Sequence, residues 1–552
     1  MGGSVDLCEN WATLWEAVAT SQADHVAVVI GDRRMTWRSL DERAARLAGA
    51  FTSRSIGTDA KVAQLMYNCP EYLESAYASF KVRASTVNVN YRYRAPEVVH
   101  ILDDSDAEVL IFHGSFAGVV DQARSSLPGV RLLIQVDDGD GAQLLDGAVR
   151  YEDLIANNEP APPIARQGSD ELLLYTGGTT GQPKGVVWRH ADLFSALAFN
   201  GYASIGKPVP TDPADVGRIA AELNAAGSSP VNMTAPPLMH GTALFLAMST
   251  FVLGGTVVLL AGRHFDPAEL LRLVHRERVT QLSIVGDAFA RPIIAELQRA
   301  EQAGDPYDIT SLARIVSTGA TLSAEHKQQL MSRAPDATVI DLVGASEGGP
   351  FAIAMTPPGA DPMATANFMS TPATTVFDPE TWERIVPGSG RAGVLAASGP
   401  IPVGYYKDPA KTASTFREID GVRYSVPGDL AMVDADGTVH LLGRGAACVN
   451  TGGEKVYSEE VEVVARQLPG IEDCVVAGVP DERFGEIVVL VASRTDASID
   501  ERDVIDHVKQ HLASYKAPRH VVFVDRFYRS PSGKADYRWA RTVAAEAIAT
   551  RA

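Results

Sequence analysis

The sequence has few cysteines and few basic residues for its length. Its 552 residues include only four cysteines, Cys8, Cys69, Cys448 and Cys474. Their spacing fits neither a metal site nor a dense disulfide framework, so we expect a reducing, cytoplasmic environment. Lys and Arg total 49 against 68 Asp and Glu, giving a formal net charge of -19. This acidic balance argues against nucleic acid or an anionic membrane as the main partner, but it permits a local basic pocket.

The sequence also lacks an obvious targeting segment. The first residues, MGGSVDLCENW, have neither a basic stretch nor an apolar core, and the last four, ATRA, match no address signal. We therefore expect no leader peptide. One uncharged run, 243–262, is long enough to span a membrane. However, Gly254-Gly255 divides it into a helix-length part and the run TVVLL, which favours a buried helix, a turn and a buried parallel strand.

Helix-like and strand-like stretches alternate over most of the chain. Leu40, Ala44, Leu47 and Phe51 mark one face of a helix that has Thr36 as its N-cap. The stretches VAQLMYN, AEVLIF, GTVVLL and TQLSIVG have the apolar character of buried strands. The alternation predicts an α/β fold of stacked, mostly parallel sheets, in which ligands bind beyond the carboxyl ends of the strands.

The pattern changes at two places. Residues 206–230 are rich in Pro, Ala and Gly around one predicted helix. We interpret them as a surface insertion, with a lid as a hypothesis. Short strands before Gly443, including a hairpin at Asp436-Gly437, predict a small β-barrel-like part. A compact α+β pattern follows, so we predict a large N-terminal domain at 1–443 and a small C-terminal domain at 444–552.

A glycine- and threonine-rich loop directly follows a strand-like run in the stretch LLLYTGGTTGQPKGVVWRH, residues 172–190. Glycine lets backbone N–H groups approach an anion, and hydroxyl groups add donors or hold a metal. A phosphate-binding loop and a flexible surface loop both fit this composition. The nucleotide loop of kinases and GTPases does not, because Pro183 precedes Lys184 and Gly185 follows it.

The block YTGGTTGQPKGV resembles the phosphate loop of the adenylate-forming superfamily: acyl- and aryl-CoA synthetases, peptide-synthetase adenylation domains and firefly luciferase. Further blocks follow in the family's order: VNVNYRY (87–93), PPLMHG (236–241), STGATLS (317–323), LVGASEGG (342–349), VGYYKDPAKT (403–412), YSVPGD (424–429), GRGAACVNTGGEKVYSEEVE (443–462) and SPSGK (530–534). The resemblance thus covers nearly the whole chain. The residues of these blocks are most similar to those of actinobacterial synthetases for fatty and steroid-side-chain acids.

The resemblance implies a reaction in two halves. A carboxylate attacks the α-phosphate of ATP, giving acyl-AMP and pyrophosphate, and a thiol, usually that of coenzyme A, then displaces AMP. Mg²⁺ would be held by Glu347 with Thr180 nearby, since a hard cation takes oxygen ligands. The other residues implied in binding ATP or AMP are Thr176, Gly177, Gly178, Thr179 and Lys184 at the phosphates, Gly319 and Ala320 at adenine, Gly344, Ala345 and Ser346 in the LVGASEGG block, and Asp429 and Arg444 at the ribose.

Three residues are implied in catalysis. Lys534 matches the lysine that reaches from the small domain to the carboxylate and α-phosphate, Glu347 matches the metal ligand, and His240 matches a residue that gates the acyl pocket. The resemblance also implies that the small C-terminal domain is mobile, with a hinge at Ala446, where relatives usually have Asp or Lys. It further implies a pantetheine tunnel beside Gly452-Gly453. Family members often carry an aromatic residue that stacks on adenine before the equivalent of Gly344, whereas this chain has Val343.

The implied substrate is a hydrophobic carboxylic acid. MHGTALF contains no acidic residue to pair with an ammonium group, and His240, Gly241, Gly286 and Gly344 outline an acyl pocket with room for a bulky group. Fatty, aryl, terpenoid and steroid-like acids all fit. The alternatives are a stand-alone adenylase that hands acyl-AMP to a separate CoA-transferring enzyme or carrier protein, a luciferase-type oxygenase, and a non-enzymatic binding module. Family members are often monomers or homodimers.

Overall fold

The computed structural model describes residues 10–177, 182–203, 205–319, 322–361, 367–444, 448–528 and 537–551. The helices within these ranges are α1 (Trp11–Ser21), α2 (Trp37–Thr52), α3 (Pro70–Lys81), α4 (Ala95–Asp104), α5 (Ala117–Arg124), α6 (Tyr151–Asn157), α7 (His190–Ala203), α8 (Pro213–Ala225), α9 (Gly241–Val252), α10 (Pro267–Glu277), α11 (Gly286–Gln302), α12 (Ala324–Met331), α13 (Pro409–Thr415), α14 (Ser458–Ala465), α15 (Glu501–His511) and α16 (Tyr537–Arg551), with short 3₁₀ turns at Gly114–Phe116 and Ser514–Lys516.

The strands of the described residues form three sheets. In chain order they are β1 (Val26–Ile30), β2 (Arg33–Thr36), β3 (Lys61–Leu65), β4 (Ser85–Asn88), β5 (Ala107–His113), β6 (Leu132–Val136), β7 (Ala148–Arg150), β8 (Glu171–Gly177), β9 (Pro183–Arg189), β10 (Val231–Thr234), β11 (Thr256–Leu259), β12 (Gln281–Ile284), β13 (Arg314–Thr318), β14 (Thr338–Ala345), β15 (Gly348–Thr356), β16 (Asn367–Ser370), β17 (Thr374–Phe377), β18 (Gly393–Ser398), β19 (Gly404–Tyr405), β20 (Phe416–Ile419), β21 (Val422–Ser425), β22 (Asp429–Val433), β23 (Thr438–Arg444), β24 (Cys448–Thr451), β25 (Glu454–Tyr457), β26 (Ile471–Asp481), β27 (Gly485–Arg494) and β28 (His520–Phe523).

Two large sheets enclose a layer of helices. The first has the order β2-β1-β11-β10-β12-β13-β14-β15-β16-β23-β22-β18-β21-β20, with β17 beside β18, and it is parallel from β1 to β14. The second has the order β19-β9-β8-β4-β3-β5-β6-β7. The largest core contains residues of both sheets together with α1, α2, α3, α7, α8 and α9. Because α10–α12 and α4–α5 cover the outer faces, the large domain is a layered α/β structure.

The antiparallel strands β15–β18 and β20–β23 correspond to the predicted β-barrel-like part. They extend the first sheet beyond β14 rather than forming a separate sheet, because β14 and β15 are paired antiparallel. Their own core is built around Phe351, Phe368 and Leu395. The predicted hairpin at Asp436-Gly437 joins β22 to β23, and Gly437 has a φ of +89°, which glycine adopts without steric cost.

Local sequence signals locate several elements of the large domain. The Thr36 side chain accepts a hydrogen bond from the Ser39 N–H and caps α2, as its position predicted. The uncharged run 243–262 is divided between α9 and β11, and β11 is a buried strand parallel to β1 and β10. Among the described residues, no helix combines the length and apolar character needed to cross a membrane.

The helix within residues 206–230 belongs to the core and is not a lid. One face of α8 packs against α1, where Val216, Ile219 and Ala220 are buried, while Arg218 and Glu222 on the other face are exposed. The approach is close, since a Cβ on Gly217 would lie 2.6 Å from the carbonyl oxygen of Ala17. Apolar residues on one face of α8 therefore fix a segment whose composition had suggested a surface insertion.

The third sheet, with the order β25-β24-β27-β26 and β28 beside β27, forms the small C-terminal domain. Helices α14 and α15 cover one face, and α16 covers the other with Ala540 and Ala544. The predicted boundary at 443/444 remains a prediction. It lies near the end of β23 in the first sheet, while the next described strand, β24, belongs to the third.

Candidate active site

The glycine- and threonine-rich loop connects two strands of an antiparallel hairpin. Strands β8 and β9 pair in register from Glu171↔Arg189 to Gly177↔Pro183, and Thr176 lies opposite Lys184. Glycine at position 185 permits close packing on Tyr175, because a Cβ there would lie 2.7 Å from the Tyr175 ring. The hairpin therefore presents Thr176 and Lys184 together, next to the loop.

Helix α13 and strand β19 supply side chains that hold the charged groups beside this hairpin. The ammonium group of Lys184 donates to the carboxylate of Asp408 and lowers the pKa of that carboxyl. Asp408 also caps α13 by accepting from the Lys411 N–H. The hydroxyl of Tyr405 donates to Oε1 of Glu347 at 2.6 Å. The VGYYKDPAKT block thus orients both the implied phosphate lysine and the implied metal carboxylate.

Glu347 occupies the tight connection between β14 and β15. The Ser425 hydroxyl donates to the Glu347 carbonyl at 2.6 Å, and the Trp188 indole donates to the Ser346 carbonyl at 3.0 Å. These bonds attach the connection to β21 and to β9. Gly344, Ala345, Ser346 and Glu347 all line one cavity, as the block position implied.

The carboxyl end of β13 borders the same cavity. Gly319 lines it with a φ of +82°, and the Thr318 hydroxyl fixes this end by donating to the Leu342 carbonyl at 2.9 Å. Val343 points away from the cavity and packs in the core of the antiparallel part. An aromatic side chain at this position would therefore not face the cavity in the present arrangement.

The two residues implied at the ribose are direct partners across the β22–β23 ladder. Asp429 lies opposite Arg444, although Arg444 comes 15 positions later in the chain. Opposed residues of an antiparallel pair have Cα atoms about 4.5–5.5 Å apart. Their backbones therefore form one local site.

A cavity of about 780 Å³ connects Thr176, Gly319 and Glu347 to an apolar pocket, whereas Lys184 and Asp429 are not among its lining residues. Its apolar wall is formed by residues of β9, α7 and α9 and by the residue that follows α9, namely Trp188, Leu193, Leu197, Phe245 and Leu253. His240, Gly241 and Gly344, which the sequence assigned to the acyl pocket, all line this cavity.

Two of the implied acyl-pocket glycines also have structural contacts. Gly286 is buried at the start of α11, where its N–H donates to the Ser317 hydroxyl, and the neighbouring Val285 lines the cavity instead. Gly241 permits close packing as well, because a Cβ there would lie 2.9 Å from Cδ2 of Leu174.

A tight turn of the small domain borders the cavity. Gly452 and Gly453 connect β24 to β25 as a two-residue turn with φ values of +58° and +85°, the signature of a type I′ hairpin. Gly453 lines the cavity, and a Cβ there would lie 3.6 Å from Cγ1 of Val285 and 3.7 Å from Cε2 of Phe289. The turn therefore abuts the start of α11.

Glu454, the residue after this turn, joins the two domains electrostatically. Its Oε1 lies 3.3 Å from Nε2 of His240 and 3.0 Å from the Arg92 guanidinium. Burial by itself would raise the pKa of Glu454, but His240, Arg92 and Lys516 together lower it to about 2. Glu454 is thus an ionised, buried carboxylate that contacts the implied gating histidine.

A second contact fastens the small domain nearby. The ammonium group of Lys516, only 3% exposed, lies 3.1 Å from Glu97 of the large domain and 2.9 Å from Glu460. Burial lowers the pKa of Lys516, but the two carboxylates outweigh this effect and raise it. The Tyr93 ring lies below the ammonium group at 4.8 Å. Removing one partner from such a buried cluster would leave uncompensated charge.

Sequence reasoning missed two residues of this site. Asn88 accepts from the Tyr175 N–H at 2.6 Å and donates to the carbonyls of Tyr175 and Met239 at 2.9 and 2.7 Å. It thereby joins β4, β8 and the segment before His240. Glu454 was the other, and its place directly after the glycine pair was the available signal.

Several predicted site residues lie outside the described residues or have undescribed side chains. The first group comprises Gly178, Thr179, Thr180, Ala320, Ala446 and Lys534, and the second comprises Gly177 and Arg444. The roles of all these residues remain predictions.

Comparison with known proteins identifies the family models and relatives that the chain matches. The model described as AMP-binding enzyme matches residues 15–406, and the model described as AMP-binding enzyme C-terminal domain matches 460–534. The chain is 41% identical to the medium-chain acyl-CoA ligase Mig of Mycobacterium avium, covering 95% of this chain and 96% of that protein. It is 38% identical to a 3-oxocholest-4-en-26-oate–CoA ligase of Rhodococcus rhodochrous, covering 96% and 95%.

More distant matches have other products. A feruloyl-CoA synthase of Amycolatopsis sp. is 31% identical over 94% of this chain and 96% of that protein. Among solved structures, an o-succinylbenzoate CoA synthetase double mutant from Bacillus subtilis has a TM-score of 0.77 at 20% identity, covering 96% of this chain and 97% of that one. The amide bond synthetase McbA from Marinactinospora thermotolerans has a TM-score of 0.76 at 23% identity, covering 97% and 99%. These two structures support the fold.

Proposed function

The chain belongs to the AMP-binding enzyme family, and from that premise we propose that it is an AMP-forming acid–thiol ligase acting on a hydrophobic carboxylic acid. It converts the acid and ATP to acyl-AMP and pyrophosphate, and then acyl-AMP and coenzyme A to acyl-CoA and AMP. The observation that carries this proposal is the single cavity that joins Glu347 and the β8–β9 hairpin to an apolar pocket and to the small-domain turn.

In the first half-reaction, the chain would hold the negatively charged phosphates of ATP in line with the carboxylate of the acid. The substrate carboxylate would lie near His240 and Gly344, with its apolar body against α7 and α9. Thr176, Lys184 and the glycine-rich loop would bind the β- and γ-phosphates. Preorganised donors of this kind supply most of the catalysis in phosphoryl-type reactions, because the transition state concentrates charge at fixed positions.

The residues around Glu347 fit a divalent cation. A carboxylate facing the cavity, already oriented by the Tyr405 hydroxyl at 2.6 Å, is the ligand type that Mg²⁺ prefers. We propose that Glu347 and Thr180 hold the ion, which neutralises phosphate charge when bound. For the remaining nucleotide contacts, we propose Gly319 and Ala320 at adenine, Asp429 and Arg444 at the ribose, and Lys534 at the α-phosphate and the acyl carboxylate.

The second half-reaction uses the position of the small domain described here. Gly453 lines the cavity without a side chain where the turn meets Val285 and Phe289, and we propose that a thin pantetheine arm enters the cavity alongside this turn. The thiol sulfur attacks the acyl carbon, its proton passes to solvent or a neighbouring base, and AMP leaves with the electrons of the broken C–O bond. Glu454 holds His240 beside this path.

The substrates named for the relatives suggest which acids to test. We propose medium- and long-chain fatty acids and a steroid acid such as 3-oxocholest-4-en-26-oate as the first choices, with ferulate as an aryl comparison. Purified protein is incubated with each acid, ATP and Mg²⁺, with and without coenzyme A, while pyrophosphate and thioester are measured.

The amounts of pyrophosphate and thioester distinguish the possible functions. Thioester formed with both cofactors supports the ligase. Acyl-AMP that accumulates without thioester would indicate an adenylase that hands its product to another protein. If no acid releases pyrophosphate, the proposed reaction is wrong.

A further inference from the structure

The cavity has a polar row at its far end, opposite the reactive groups. Along β13 and β14, the cavity is lined by alternate residues, so that Val316 and Ile340 give it an apolar middle. Beyond them lie Gln281, Arg314 and Thr338. These polar residues are the first residues of their strands. Gly319 and Gly344, by contrast, lie at the carboxyl ends of β13 and β14.

The parallel register brings these three residues together. Gln281 pairs with Arg314, and Arg314 pairs with Thr338, so they occupy neighbouring positions on β12, β13 and β14. In-register residues of a sheet point to the same face. Thr318 comes four positions after Arg314 on β13, which corresponds to about 13 Å along the strand. The row is therefore a distal feature of the acyl pocket.

Arg314 places a cation beside apolar cavity walls. Its burial lowers the pKa of the guanidinium, yet an arginine remains charged at neutral pH. Gln281 is oriented from the side, since its Nε2 donates at 3.4 Å to Oδ1 of the buried Asn232, its in-register partner on β10. The Thr338 hydroxyl adds a group that can donate or accept. Together these side chains provide hydrogen-bond donors at the end of an apolar channel.

We propose that the row of Gln281, Arg314 and Thr338 selects acids that carry a hydrogen-bond-accepting oxygen, a ketone or a carboxylate, at the end distal to the activated carboxylate. This inference rests on the proposed ligase function and specifies its substrate class. The apolar middle accepts the hydrocarbon body, while the guanidinium binds the distal oxygen. Since Met355 beside the row is 64% exposed, water competes there and the preference is moderate.

The test compares three acids of equal chain length: a straight-chain acid, the same acid with a ketone at its penultimate carbon, and the corresponding dicarboxylic acid. Pyrophosphate release is measured as kcat/KM for the wild type, Arg314→Met and Arg314→Lys. We expect the wild type to favour at least one oxygenated acid by about tenfold, the value of one charged hydrogen bond partly exposed to water. Arg314→Met should lose this preference while keeping activity on the plain acid, and Arg314→Lys should retain part of it.

Two further variants provide a control at an exposed arginine and a second test of the row. Arg299→Met removes an exposed arginine of α11 that pairs with Glu296, and it should leave all three kcat/KM values unchanged. Thr338→Val preserves side-chain shape without the hydroxyl, and a smaller loss of preference is expected even if Arg314→Met fails to fold.

The outcomes distinguish this inference from the function on which it rests. A wild type that favours the plain acid, or an Arg314→Met variant that loses activity equally on all three acids, would overturn the distal row while leaving the ligase intact. Failure of every acid to release pyrophosphate would overturn the proposed function itself, and the row with it. The ketone and dicarboxylic arms show which type of oxygen is bound.

Discussion

Two glycine-containing hairpins border the cavity, and they use glycine differently. The β8–β9 hairpin carries a loop with several glycines and threonines and a lysine at its base, a composition suited to an anion. The β24–β25 hairpin turns in only two residues, both with positive φ, and brings backbone against α11. The β8–β9 hairpin supplies hydrogen-bond donors and a positive charge, while the β24–β25 turn has no side chain at the edge of the cavity. We therefore expect substitutions around them to affect different half-reactions.

The largest difference between the effects on the two half-reactions should come from Lys534→Ala. We expect pyrophosphate release to slow by about 10²–10³-fold, because one preorganised charge is removed from the transition state. Transfer from supplied acyl-AMP to coenzyme A should remain close to wild type. Lys509→Ala, at an exposed position on α15, serves as the control. Near-normal pyrophosphate release from Lys534→Ala would show that another residue performs this role.

Glu454→Gln should slow the second half-reaction much more than the first. The substitution keeps the shape of the side chain but removes the charge that pairs with His240 and Arg92. We expect thioester formation from supplied acyl-AMP to fall by about 10–100-fold, the range for a charged hydrogen bond, with adenylation changed much less. The exposed Glu472→Gln is the control. Equal losses in both half-reactions would contradict the division between the hairpins.

Gly453→Ala should weaken the second half-reaction by about tenfold. A Cβ there makes only ordinary contacts with Val285 and Phe289, so the cost comes from holding a non-glycine residue at a φ of +85°. Gly421→Ala is a matched control, since Gly421 has a φ of +71° in the two-residue β20–β21 hairpin, with open space around its Cβ position. If both variants slow thioester formation equally, the effect is one of folding.

Acid should weaken the Glu454 contacts only at low pH. The folded-state pKa of Glu454 is lowered from 4.5 to about 2, so the unfolded chain binds its proton first as pH falls. The stability that ionised Glu454 contributes is complete above pH 4.5 and is lost as pH falls toward 2. The difference in free energy of unfolding between wild type and Glu454→Gln should therefore shrink across that interval. A difference that changes near neutral pH instead would assign the titration to another group.

Asp408→Asn should have the smallest effect. The side chains of Lys184 and Asp408 are each 25% exposed, and such pairs contribute about 0.2–1 kcal/mol, so the free energy of unfolding should change by no more than that. Asparagine also caps helices well, which preserves α13. Because Lys184 is released from a carboxylate, the KM for ATP should fall by up to about fivefold. Lys184→Met should raise that KM, and a rise in Asp408→Asn would mean that Asp408 assists ATP binding.

Much of the fold and part of the site could be predicted from the sequence. Apolar periodicity located α2 and the strands of the parallel sheets, and Gly254-Gly255 correctly divided the run that resembled a membrane span. The blocks identified Glu347, His240 and Gly344, which line one cavity. These signals are local, because turns, caps and hydrophobic faces depend on neighbouring residues.

The lid hypothesis for residues 206–230 shows where local signals mislead. A composition rich in Pro, Ala and Gly is typical of exposed loops, yet α8 is part of the core. Small residues also permit close helix packing, as Gly217 does against Ala17. Composition alone does not distinguish these two uses of a small residue.

The sequence by itself determined the family resemblance, the layered α/β fold and the residues at the carboxyl ends of the strands, because each is encoded in a short ordered stretch. Only the tertiary structure decided the contact of Glu454 with His240, the bridging role of Asn88 and the row of Gln281, Arg314 and Thr338. These groups are distant in the chain. They meet because strand order, register and domain docking arise from burial across the whole molecule, which no local pattern specifies.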